Sequence, residues 1–60
     1  MKTSELIKAL KAGGCYFVRH GGNHDLWYSP LNARLFSVPR HSAEMKTGTA
    51  NKILREAGLK

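Results

Sequence analysis

Between residues 4 and 12 the apolar positions Leu6, Ile7 and Leu10 fall at i, i+1 and i+4, with Lys8 and Lys11 on the other face. This spacing predicts an amphipathic helix with one buried stripe. Thr3 or Ser4 stands where a cap is needed, Glu5 and Lys11 suit the two ends of the helix dipole, and Gly13-Gly14 offers a left-handed exit. From Cys15 to His20 the period shortens to two. That alternation predicts a strand with Cys15, Phe17 and Arg19 on one face and Tyr16, Val18 and His20 on the other. A second strand is expected from His24 to Ser29, with His24, Leu26 and Tyr28 opposed to Asp25 and Trp27. Ser29-Pro30-Leu31-Asn32 carries turn chemistry, with Asn32 the residue suited to an unusual φ, and a third strand follows from Arg34 to Val38, ended by Pro39.

Residues 40 to 48 have no clear period and read as a polar, cationic loop. A second helix is expected to begin near Gly48 or Thr49, because Ala50, Ile53, Leu54 and Ala57 repeat at i, i+3, i+4 and i+7 and Gly58 offers a C-cap. The order predicts an α+β fold, αβββα, in which two helices cover one face of a three-stranded antiparallel meander. One domain spanning residues 1–60 is expected, without repeat or linker.

Length and charge narrow what such a domain does. At 60 residues, a core rarely supplies more than roughly 3 to 5 kcal/mol without a staple. Cys15 is the sole cysteine, so no internal disulfide forms, and a partner is expected to supplement the core. Ten Lys and Arg against four Asp and Glu leave a net charge of +6. Such a surface attracts a polyanion, either nucleic acid or an acidic protein. A membrane is the weaker reading, since no stretch approaches the ~20 apolar residues needed to span. Met-Lys-Thr-Ser is followed by no apolar signal core, and with a lone thiol the expected location is the cytoplasm. The histidines at 20, 24 and 41 follow no metal-ligand spacing, and neither a metal nor another cofactor is expected.

The stretch Gly21-Gly22-Asn23-His24 is the strongest candidate for chemistry. Its glycines allow positive φ or close approach of a ligand, and His24 leaves the turn at the rim of a sheet, held in place yet accessible. His20 reads as an ordinary strand-end residue, and His41 as a residue bonding its own loop rather than an acid partner to His24. Trp27 and Phe17 are expected in the core rather than stacked on bases. Cys15 is expected to pack against Ile7 or Leu10, with no base beside it to make it a nucleophile.

Three groups of residues together resemble one family. Gly22-Asn23-His24 after the first strand, Val38-Pro39-Arg40-His41 after the third, and Gly48-Thr49 leading to Ile53-Leu54 and Ala57-Gly58-Leu59 are similar to the HicA-type toxins of bacterial toxin–antitoxin pairs. The resemblance runs nearly end to end, with Asn23 standing where the common turn pattern has serine. It implies a double-stranded-RNA-binding-domain-like fold, an endoribonuclease (mRNA interferase) activity that needs no metal, and His24 as catalytic residue. It also implies a HicB-type antitoxin as partner in a hetero-oligomer, with mRNA as substrate. Candidates for the RNA-binding surface are Arg19, Gly22, Asn23, Arg40, Lys46 and Lys52, and the N-terminus of the second helix is a further place for a phosphate. Two other classes stand beside this one: a non-catalytic RNA-binding module, and a small interaction protein whose charge docks an acidic partner.

Overall fold

The computed structural model describes residues 1–40 and 44–60. The elements are α1 (Thr3–Ala12), β1 (Tyr16–Gly21), β2 (His24–Ser29), β3 (Arg34–Pro39) and α2 (Thr47–Glu56). This is the αβββα order, with the strands in an antiparallel sheet of order β1-β2-β3. His41, expected to bond its own loop, lies outside the described residues.

α1 buries Leu6 and Leu10 completely, as its apolar stripe requires. The cap position falls on Lys2 rather than on Thr3 or Ser4, and Lys2 makes no side-chain cap bond. The reason lies in the chain just before the helix, which is paired with a distant segment. The Met1 ammonium donates to the Met45 carbonyl at 3.0 Å, the Met45 amide donates to Met1 at 2.8 Å, and Lys2 bridges to Glu44. Met45 is thereby pulled into the core, so the stretch read as a polar loop contributes a buried side chain. At the other end the exit is as expected, with Gly14 at φ +92°.

The register of the sheet decides what faces what. Trp27 pairs with Phe17 on one side and Phe36 on the other, and Asp25 pairs with Val38. Trp27, Phe36 and Val38 belong to the same buried cluster as Leu6, Leu10, Cys15, Ala50, Ile53, Leu54 and Ala57, so both helices cover this face. The expected alternation of β2 holds. That of β1 does not, because the register shifts between Phe17 and Arg19, leaving Val18 as an extra residue. A bulge of this kind reverses the facing of everything after it. Arg19 therefore joins the row of Leu26 and Ser37 on the open face, while His20 joins Phe17 and Asp25 on the covered one.

Phe17 departs from its expected place in the core. It remains 43 % exposed, against 5 % for Trp27, with its ring centre 4.9 Å from that of the tilted His20 ring and 6.4 Å from that of Trp27, edge-on. β1 is an edge strand and α2 lies nearest the opposite edge, β3, so the helical layer thins out over Phe17. The β2–β3 turn also differs in detail: the left-handed residue is Ala33, at φ +54°, not Asn32. Asn32 is used instead as a tie, its amide donating to the Glu56 carbonyl at 2.8 Å.

Candidate active site

His24 is placed by a two-residue hairpin loop. Gly21 pairs with His24, which leaves Gly22 and Asn23 to close the turn. Gly22 takes a positive φ of +35° whereas Asn23 does not, and glycine at the first loop position is what tight hairpins of this class call for. A Cβ on Gly22 would meet nothing within 4 Å, so backbone conformation rather than crowding favours glycine there.

The open face of the sheet carries three cross-strand rows: Tyr16, Tyr28 and Leu35; then Arg19, Leu26 and Ser37; then Gly21, His24 and Pro39. His24 is exposed at the end of this series. Beside it a cavity of about 300 Å³ is bounded by His24, Ser37 and Pro39 from the sheet and by Thr49, Lys52, Ile53 and Glu56 from α2. Its size is at the lower end for small-ligand sites. The helical wall follows directly from periodicity. Thr49, Lys52, Ile53 and Glu56 stand at i, i+3, i+4 and i+7, one residue round the helix from the apolar stripe of Ala50, Ile53, Leu54 and Ala57. Ile53 belongs to both stripes. The apolar stripe seats α2 along β3, and the polar one is thereby brought against His24.

Chemically the cavity joins an imidazole, an ammonium group, a carboxylate and two hydroxyls. Such a set can move a proton, neutralise an anion and hydrogen-bond a polar ligand at once. Lys52 precedes Glu56 by four residues on α2, so the two charges are neighbours on the helix surface.

The residues singled out in the sequence are distributed unevenly around this site. Lys52 lines the cavity with His24. Gly22 and Asn23 form the turn that delivers His24. Arg19 is exposed on the same open face, one row away. Lys46 is exposed immediately before α2, and Thr49, in the first turn of that helix, reaches the cavity. Arg40 has its guanidinium turned to the back of the hairpin: Nη1 lies 3.4 Å from Asp25 Oδ1 and Nη2 donates to the Gly22 carbonyl. His20 is on the face away from His24, its Nδ1 2.7 Å from the same Asp25 oxygen. Among the described residues, no three His, Cys, Asp or Glu side chains gather as a metal site.

Ser37 and Glu56 escaped the sequence reading, as did Asp25, and Thr49 entered it only through the start of the second helix, offered there as a place for a phosphate. Ser37 and Glu56 were legible only as polar positions beside apolar ones, a signal that acquires meaning once the partner surface is known. Among the described residues, no helix is long and apolar enough to cross a membrane.

A family model described as the HicA toxin of bacterial toxin–antitoxin matches residues 3–59. No match was found among curated proteins or among solved structures.

Proposed function

Since this chain belongs to the HicA toxin family, we propose that it is the toxin of a toxin–antitoxin pair and acts as an endoribonuclease on mRNA, with His24 as general acid/base and no metal. The observation that carries this reading is the cavity that His24 and Lys52 both line, in a chain of net charge +6.

RNA supplies its own nucleophile. The His24 imidazole takes the proton of the 2′-hydroxyl, the 2′-oxygen attacks phosphorus, and the bond from phosphorus to the 5′-oxygen breaks as that oxygen receives a proton from the imidazolium so formed, directly or through water. The products are a 2′,3′-cyclic phosphate and a free 5′-hydroxyl. Proton transfer by one positioned side chain is worth about 10² to 10⁴ in rate. Lys52, which lines the same cavity as His24, offsets charge on the phosphorane oxygens, and Ser37 and Thr49 supply hydroxyls for the sugar-phosphate chain. Arg19 and Lys46 extend the positive surface away from the cavity, where neighbouring phosphates of a single strand are held.

The partner in this reading is a HicB-type antitoxin that covers His24. The row of Tyr16, Tyr28 and Leu35 supports this arrangement, being largely uncovered on the face that carries His24, with Tyr16 and Leu35 more than half exposed. Residues 1–60 act as one domain, and the site of action is the cytoplasm, where mRNA is translated.

The test is cleavage of single-stranded RNA by the His24→Ala variant, with the wild-type chain and folding checked in parallel. Loss of cleavage in a folded variant supports the assignment, and undiminished cleavage removes it. RNA bound but recovered intact with the wild-type chain would instead make this a binding module.

A further inference from the structure

We propose that Arg40 is a positioning residue for His24: from the covered side of the sheet its guanidinium clamps the Gly22-Asn23 turn and so sets where the imidazole stands on the other side. The consequence for turnover depends on the ribonuclease reading above, whereas the clamp itself is a matter of geometry.

The chain of causes begins at the Val18 bulge. Without that extra residue His20 would face the open side. With it, His20 stands opposite Asp25 on the covered side, and its Nδ1 lies 2.7 Å from Asp25 Oδ1. The Phe17 ring, 4.9 Å from the His20 ring, supports the imidazole from the same side. Asp25 is thereby held with its carboxylate largely shielded, its side chain 19 % exposed, under the end of β3.

Arg40 follows β3 directly and uses that carboxylate as its anchor. Nη1 points to Asp25 Oδ1, Nη2 donates to the Gly22 carbonyl, and the Arg40 amide donates to the Asn23 carbonyl at 3.1 Å. Residues 22, 23 and 25 are all gripped by one residue of another strand's end, and His24 lies in the middle of them. The side chain of His24, on the opposite face, is left free.

A turn entered through Gly21 and begun by Gly22 needs such a device, because glycine loses more conformational freedom on ordering than any other residue. The planar guanidinium can meet a carboxylate and a carbonyl at once in fixed geometry, which an ammonium on a flexible stem does not reproduce. A guanidinium already shared with a carboxylate also offers less net charge to a phosphate than a solvated cation does. Arg40 thus serves the site by holding the turn, in contrast to Lys52, which lines the cavity.

The experiment compares Arg40→Lys, Arg40→Gln and Asp25→Asn with the wild-type chain, each checked for cooperative unfolding. Three quantities are read: kcat and KM for a single-stranded RNA oligomer, the slope of log KM against log salt, and hydrogen exchange of the residue 40 amide that donates to Asn23. The clamp predicts that Arg40→Lys and Asp25→Asn lower kcat by roughly ten- to a hundredfold, the scale of a misplaced catalytic group. KM and salt slope stay unchanged, and exchange at residue 40 quickens. Wild-type turnover in Arg40→Lys overturns the clamp, as does a pure KM effect in Arg40→Gln with the slope reduced by about 0.7, the mark of one lost phosphate contact on a single strand. If the wild-type chain cleaves no RNA, the ribonuclease reading falls and the exchange measurement alone decides. Unchanged exchange in Asp25→Asn then overturns the clamp.

Discussion

The Ser29 hydroxyl at the end of β2 donates to the Ala57 carbonyl just past α2, and both residues are fully buried. The same oxygen accepts the Leu31 amide at 3.3 Å, so one side chain joins the sheet, the β2–β3 turn and the end of the second helix. α2 carries one wall of the cavity, which makes this bond part of what keeps that wall in place. Replacing Ser29 by alanine leaves a buried carbonyl without that donor and is expected to cost about 1 to 3 kcal/mol. Urea unfolding measures the loss directly, and a change near zero shows that water or another donor reaches Ala57.

Two glycines of similar appearance in sequence are expected to respond in opposite directions. Gly58 sits at φ +79°, and a Cβ there would stand 3.3 Å from Leu31 Cβ and from the Asn32 amide. Gly48 lies in the first turn of α2 with nothing within 4 Å of its Cβ position. Gly58→Ala should therefore destabilise by more than about 1 kcal/mol, and Gly48→Ala should stabilise by roughly 0.4 to 1 kcal/mol. Thermal unfolding of both variants checks the sign, at about 4 to 8 °C per kcal/mol for a domain of this size.

Lys52 should behave as a charge that meets phosphate. Lys52→Gln is expected to weaken binding of single-stranded RNA similarly for all sequences and to reduce the salt slope by about 0.7. In the proposed reaction the ammonium also offsets developing charge, so kcat should fall together with affinity. An unchanged salt slope separates Lys52 from the phosphate.

His24 is exposed and lies outside the core, so His24→Ala should leave stability within about 0.5 kcal/mol of wild type while removing at least about 10² of the cleavage rate. Denaturant unfolding and single-turnover cleavage on the same preparation separate the two effects. A large loss of stability shows that the ring has a structural task as well.

Leu35 tests the partner surface. It is 58 % exposed at the end of the row formed with Tyr28 and Tyr16. Leu35→Lys preserves a basic surface for RNA but places a charge where an apolar contact is proposed. Neutralisation by the antitoxin should weaken by about tenfold or more, while cleavage by the free toxin is retained. Unchanged neutralisation moves the antitoxin off this face.

Local periodicity determined the greater part of the fold. The 3.6-residue spacing of Leu6 and Leu10, and of Ala50, Ile53, Leu54 and Ala57, named the buried sides of both helices. Alternation in β2 separated Trp27 from His24 for the same reason: each depends only on neighbours along the chain. The glycine turn likewise announced where an accessible imidazole would stand. Tertiary structure alone decided the rest, because it depends on contacts between distant residues. The bulge at Val18 sent His20 to Asp25 and Arg19 to the open face, and pairing with Met1 drew Met45 inward. The seating of α2 on β3 brought Thr49, Lys52 and Glu56 to His24, while Arg40 took hold of the turn. A two-residue period read along one strand cannot register an extra residue, since a bulge exists only relative to the partner strand.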